Sequence, residues 1–367
     1  MKKKAYLVLE DGAIFPGYAF GAPVRACGEV VFNTSMTGYQ EILTDPSYGG
    51  QIVTLTYPMV GNYGINRQDF ESAKIQVSGF VVRETCEEPS NWRSESTLGQ
   101  FLTSQGVPGI WGIDTRALTR RLRSRGVMMG AISSDESPEE MLARIQLTPS
   151  YGLVDYVSHV STPVAYRWED TSVDDNDNTK LHIVVVDSGV KYNILRILRQ
   201  KGCRATVLSH SASKEEVLAQ RPDGVLLSPG PGDPALLRGM VEMVRGLLGR
   251  VPIMGICLGH QLLGLALGGT TFKLKFGHRG GNHPVKDLVT GEVHITSQNH
   301  GYAVDADSLR DGTEPSHVNL NDGTVEGLLH RSLPIVSIQY HSEASPGPRD
   351  NMYLFDRFLD LVRSGKS

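Results

Sequence analysis

A lone cysteine with a glycine two positions away on either side, Gly255-Ile256-Cys257-Leu258-Gly259-His260-Gln261, carries the plainest chemistry in this chain. It follows an apolar run, Val251-Pro252-Ile253-Met254, and opens a helical pattern. A cysteine at such a strand-to-helix corner has the form of a nucleophile elbow. The chain folds back close to itself there, so flanking residues without a side chain are required, hence Gly255 and Gly259. The spacing predicts a sulfur exposed at the tip, over the first turn of the helix. Free N–H groups and the positive end of the helix dipole favour thiolate over thiol, and thiolate is the attacking form.

A nucleophile of this kind needs a base, an orienting group and donors for a developing oxyanion. His341 is the base candidate, in Val336-Ser337-Ile338-Gln339-Tyr340-His341-Ser342-Glu343. The run before it reads as a strand. His341 and Glu343 are two apart, and extended geometry would put them on one side. Glu343 could then accept from one ring nitrogen while the other faces the thiol; a surface histidine at a strand end is the ordinary alternative. One oxyanion donor is the N–H of Leu258. A second could come from Ser228-Pro229-Gly230-Pro231-Gly232-Asp233, where prolines stiffen the loop and glycines admit a ligand to the backbone. Alone, that loop equally reads as a plain turn or a phosphate cradle, although it lacks the Lys-Ser/Thr of a P-loop. Gln261 falls one helical turn after Cys257, placed either to touch a substrate or to sit in solvent. Asn299-His300-Gly301-Tyr302 is a further loop open to main-chain approach.

The elements that must position these groups follow from the pattern around them. Residues 181–186 form a near-continuous apolar run, the mark of a strand buried on both faces. Helix signals at 192–201, 213–220 and 234–248 alternate with strand signals at 205–208, 224–227 and 251–256. This alternation predicts a doubly wound, mostly parallel α/β sheet, whose sites lie at the carboxyl ends of its strands. A closing helix carries Phe355, Phe358, Leu359 and Val362 at core spacing. The first half reads as mixed α and β, with strands at 51–57 and 75–82. Asp114 caps a helix that Gly126 stops, and Ser137-Pro138-Glu139-Glu140 opens another. Residues 161–180 turn acidic and polar. The expected organisation is an N-terminal mixed α/β domain over 1–150, a linker over 151–180 and a second domain over 181–367.

The whole chain sets limits on these readings. It has 367 residues, 40% hydrophobic and 21% charged, as in an ordinary globular protein of two domains. A net charge of −4 offers no basic field for nucleic acid or an anionic membrane. The apolar start at 5–9 is ended by Glu10 and Asp11, too early for a signal peptide. Cys27, Cys86, Cys203 and Cys257 are scattered, with neither zinc spacing nor a disulfide framework, which points to a reducing cytoplasm. His278, His283, His294 and His300 lack ligand spacing, so no metal is expected. The arginines at 116, 120, 121, 123 and 125 read as a solvated helix face.

Taken together, the 228–232, 255–261 and 341–343 segments resemble the class I glutamine amidotransferases, in that family's order. Outside them, Asn33-Thr34-Ser35-Met36-Thr37-Gly38-Tyr39-Gln40-Glu41 and Gly112-Ile113-Asp114-Thr115-Arg116-Ala117 are similar to the amino-terminal domain of carbamoyl-phosphate synthetase small subunits. So are Asp45-Pro46-Ser47-Tyr48 and Gly61-Asn62-Tyr63-Gly64. The resemblance implies a glutaminase acting through a Cys-His-Glu triad of Cys257, His341 and Glu343, by way of a thioester. It implies a glutamine site of Ser47, Gly230, Gly232, Leu258, Gln261, Asn299, Gly301 and Tyr302. It implies no cofactor in this chain; ATP and magnesium belong to a large synthetase subunit that takes the ammonia and bicarbonate to carbamoyl phosphate, for arginine or pyrimidine synthesis. A stand-alone glutaminase and a non-catalytic assembly subunit are the alternatives. One departure is visible: many relatives carry Pro where Ser342 stands.

Overall fold

The computed structural model describes residues 2–168 and 181–365, and the chain folds into two compact units. The first comprises Met1–Tyr156 with Lys275–Gly280; the second comprises Val157–Leu274 with Gly281–Ser367.

The first unit is built on a closed barrel. Its strands are β1 (Lys4–Leu9), β2 (Ile14–Gly21), β3 (Ala26–Asn33), β4 (Gln51–Leu55), β5 (Gly79–Val81), β6 (Pro108–Trp111) and β7 (Met128–Ser133), ordered β1-β2-β6-β5-β4-β3-β7 and closed by the β1–β7 ladder. Closure leaves no free sheet edge. Residues 75–82 were expected to be one strand, but only Gly79–Val81 joins the ladder. Upstream, the N–H of Gln76 bonds the carbonyl of Leu43 instead, and Ile75 and Val77 are buried against the helix Tyr39–Thr44. The two capped helices form at Thr115–Arg125 and Pro138–Leu147. In the first, Leu118 and Leu122 are buried, four of the five arginines are exposed, and Arg121 pairs with Asp11.

The second unit is built on a ten-stranded sheet of β8 (Tyr166–Arg167), β9 (His182–Asp187), β10 (Arg204–Ser209), β11 (Gly224–Leu227), β12 (Ile253–Ile256), β13 (Thr271–Asp287, whose residues 275–280 belong to the first unit), β14 (Val293–Val304), β15 (Thr313–Asn319), β16 (Val325–His330) and β17 (Ile335–Ile338). The order is β8-β10-β9-β11-β12-β17-β16-β15-β13-β14, and β10, β9, β11, β12 and β17 run parallel. The parallel block is where both faces are covered, as its uninterrupted apolar strands require. One face packs on the helices Tyr192–Gln200 and Tyr353–Ser364, the other on Arg238–Leu247 and Leu258–Ala266. The helix expected over 234–248 is broken: a short turn at Pro234–Leu236 precedes Arg238–Leu247, and Leu237 between them leaves the helical region.

The linker expected over 151–180 is structured in its first part. Tyr151 stacks on Tyr156 with ring centres 4.7 Å apart. Val157–Val160 is a helical turn, and β8 adds antiparallel to β10. The apolar residues Tyr151, Tyr166 and Trp168 within this polar stretch account for its order. Residues 169–180 lie outside those described. Among the described residues, no helix is long and apolar enough to cross a membrane.

Candidate active site

Cys257 follows β12, whose four residues are all buried, and precedes the helix Leu258–Ala266. Its φ of 54° lies in the left-handed region that side chains disfavour. Close packing holds it there. A Cβ on Gly255 would meet the Gly259 carbonyl oxygen at 2.6 Å, and one on Gly259 would meet the Leu227 oxygen at 2.2 Å. The Cys257 N–H donates to Ile338 O at 2.8 Å, tying the bend to β17. The sulfur, expected to be exposed, is buried. The carbonyl of Asn299 on β14 lies over it, with Sγ 3.6 Å from that oxygen.

His341 and Glu343 meet, but not along a strand. β17 ends at Ile338, and the chain then turns: the Ser342 N–H bonds Tyr340 O and the Ala344 N–H bonds His341 O. Ala344 and Ser345 both take positive φ. The turn places His341 Nδ1 2.6 Å from Glu343 Oε1, while the His341 N–H is fixed to Ser297 O at 2.9 Å. Nε2, the other ring nitrogen, has no hydrogen-bond partner among the described residues.

Sequence reasoning missed Lys191. Its buried Nζ donates to Ala344 O and lies 3.2 Å from Glu343 Oε1. Asn193 Nδ2 holds the Glu343 carbonyl at 2.6 Å. The available signal was position: Lys191 sits in the loop after the carboxyl end of β9, where parallel sheets place their sites. Burial alone pushes the Glu343 carboxyl up, but the Lys191 and His341 charges outweigh it and hold it well below the ordinary range. Burial pushes His341 down; the Glu343 charge, with Cys257 beside the ring, outweighs that and raises it to about 10. The imidazole is therefore held as a cation beside the sulfur.

The remaining residues of the expected site lie on several different elements. The loop of Gly230 and Gly232 follows β11. A Cβ on Gly230 would meet Ser188 O at 2.3 Å and Leu258 Cδ2 at 2.7 Å, and Gly232 has a φ of 91°. Leu258 opens the elbow helix, where an N–H has no intrahelical acceptor. Gln261 is buried, which excludes the solvated reading: its Nε2 donates to Tyr302 O at 2.8 Å and to Gln339 Oε1 at 3.0 Å. Asn299, Gly301 and Tyr302 lie on β14. Ser47 belongs to the first unit, in the turn Pro46–Tyr48; its N–H bonds Asp45 Oδ1, and its buried Oγ has no hydrogen-bond partner among the described residues. Cys203 is a buried core thiol whose burial pushes it up to about 11.

Comparison with known proteins agrees across both units. A family described as carbamoyl-phosphate synthase small chain, CPSase domain, matches residues 7–132, and one described as glutamine amidotransferase class-I matches residues 184–361. A carbamoyl phosphate synthase small chain of Solidesulfovibrio magneticus is 53% identical over 370 residues, covering 98% of each chain. One of Akkermansia muciniphila is 53% identical, covering 99% of this chain and 98% of its own. One of Bacillus caldolyticus is 54% identical, covering 98% and 97%.

Proposed function

Because the chain belongs to the carbamoyl phosphate synthase small-chain family, we propose that it is that enzyme's glutamine-hydrolysing subunit and works through Cys257, His341 and Glu343. One observation carries this reading: an imidazole clamped by Glu343 stands beside a sulfur on a strained bend at the carboxyl end of a parallel strand.

Cys257 Sγ attacks the carboxamide carbon of glutamine, and the carbonyl becomes an oxyanion. The N–H groups of Leu258 and Gly232 receive that charge, each worth about 3–4 kcal/mol in the transition state. His341 gives its proton to the departing nitrogen, which leaves as ammonia, and a γ-glutamyl thioester remains on Cys257. The now neutral His341 takes a proton from water, hydroxide attacks the thioester, and glutamate leaves. Glu343 keeps the ring oriented and compensates its charge throughout. Glutamine lies across Gly230, Gln261, Asn299, Gly301 and Tyr302. The ammonia passes to a large subunit, where ATP, magnesium and bicarbonate are handled.

Glutamine hydrolysis measured with and without a purified large subunit tests this. The reading expects slow turnover alone and faster turnover in complex, with carbamoyl phosphate formed. Fast turnover alone with no complex would favour a free-standing glutaminase; no turnover in either case would favour a non-catalytic subunit.

A further inference from the structure

At the amino end of the second unit's parallel strands, four polar side chains share one face of the sheet. Arg167 of β8 lies opposite Thr206 of β10, and His182 of β9 lies beside Arg204 of β10. Arg204 and Thr206 are two apart on one strand, so all four project from the same face. His182 and Arg204 are the first residues of their strands. Cys257 follows the carboxyl end of β12, so this cluster lies at the other end of the sheet from the elbow. Further along the same face, Val184 and Leu208 are buried in the core. At the amino end the face opens instead: the four residues, with Trp168 and Ala205, line a cleft holding about 340 Å³ of empty space.

The cleft carries positive charge without a counter-charge. Arg167 and Arg204 make no ion pair with any described residue, and the Arg204 Nε is buried with no hydrogen-bond partner. A buried N–H left unpaired costs about 1–3 kcal/mol. Asp223 is engaged with the backbone: its Oδ2 accepts from the His182 N–H at 2.8 Å. The His182 ring registers the same imbalance. Burial, then the charges of Arg204 and Arg167, hold its imidazole below the ordinary histidine range, against the opposing effects of Asp223 and of a hydrogen bond to the Arg221 backbone. Its Nε2 is 2.8 Å from Thr206 Oγ1.

We propose that this cleft binds a phosphoryl group, as inorganic phosphate or as the headgroup of a small phosphate monoester, between the Arg167 and Arg204 guanidiniums and against the Thr206 hydroxyl. Two guanidinium forks and a hydroxyl offer more donors than the two oxygens of a carboxylate engage, and the oxygens and double charge of a phosphoryl group match them. The bound dianion supplies the counter-charge that the arginines lack, so His182 takes up a proton more readily. Its Nε2–H then donates to Thr206 Oγ1, and the hydroxyl proton turns to the anion. Trp168 offers the organic part of an ester a flat apolar wall. None of this depends on the glutaminase reading.

The test is calorimetric titration of the full chain with inorganic phosphate and, separately, with ribose 5-phosphate, at fixed ionic strength. The expected result is one saturable site for at least one of them, and the tighter of the two identifies the source as free ion or ester. Arg204→Gln should weaken that binding about tenfold or more, and Arg167→Gln several-fold. Acetate should bind at least about tenfold more weakly than the phosphoryl ligand. Should Arg204→Gln not fold, Arg204→Lys keeps the charge and loses the fork, and the His182 ring resonances of the wild type read the cleft without any substitution: their titration midpoint should rise when the ligand is added. No saturable binding of either ligand up to about 20 mM, binding unchanged by both arginine substitutions, or equal binding of acetate overturns the proposal. A His182 midpoint that stays in place at saturating ligand overturns it as well.

Discussion

His341 Nδ1 lies 2.6 Å from Glu343 Oε1, and Lys191 Nζ lies 3.2 Å from that same oxygen, so one buried carboxylate serves two cations. The arrangement explains why the imidazole stays charged at full burial, and it makes the site's response to pH calculable in sign.

Stability should follow the two opposed shifts. His341 is raised from 6.5 to about 10, so its contribution is complete below 6.5 and is lost as pH rises through 10. Glu343 is lowered from 4.5 to about 2, so its contribution is complete above 4.5 and is lost as pH falls through 2. The denaturant midpoint of the wild type should therefore exceed that of Glu343→Gln most between these limits. The gap should close as pH rises toward 10. A gap that widens with rising pH would contradict the ion pair.

Lys191→Met removes one of the two cations while keeping the volume of the stem. Leaving a buried charge with a missing partner costs on the order of 3–5 kcal/mol before repacking. The Glu343 carboxyl should move upward, and the acid limb of kcat/KM should shift to higher pH, with lower kcat. A limb that stays in place would show that Lys191 is not the counter-charge of Glu343.

Gly259→Ala should damage the site through the backbone alone. Its Cβ would meet Leu227 O at 2.2 Å, a contact that forces the elbow helix off β11. Thermal unfolding should report a loss of about 1–3 kcal/mol or more, and glutamine hydrolysis should fall with it. Gly239→Ala, where the added carbon meets nothing within 4 Å, is the matched control.

Ser342→Ala should be harmless or stabilising. The Ser342 hydroxyl is fully buried with no hydrogen-bond partner among the described residues, and such a group costs about 1–3 kcal/mol. Its N–H, which bonds Tyr340 O, is untouched by the change. Denaturant unfolding and glutaminase rate measure both expectations.

The parts of the site legible in the sequence are those in which residue type itself records the constraint. Gly255, Cys257 and Gly259 could be read because a tight bend excludes side chains, and the contacts at 2.6 and 2.2 Å are that exclusion. His341 and Glu343 were paired for a different reason than the one found: alternation along a strand suggested them, and a turn brings them together. Lys191 was invisible because a lysine in a loop reads as solvated, and its partners Glu343 and Ala344 lie some 150 residues downstream. The exposed sulfur was misjudged for the same kind of reason: β14, more than thirty residues downstream, supplies its cover. In the fold, the apolar runs at 181–186 and 251–256 announced buried strands. The ladder partners of 75–82 and 151–168 depended on distant chain and could not be read locally.

The most direct measurement uses Cys257→Ser assembled with a large subunit and supplied with ATP and bicarbonate. Carbamoyl phosphate formation from glutamine should vanish, while formation from an ammonium salt continues at the wild-type rate. Glutamine-driven synthesis retained in that variant would contradict the role of Cys257 and the account built on it.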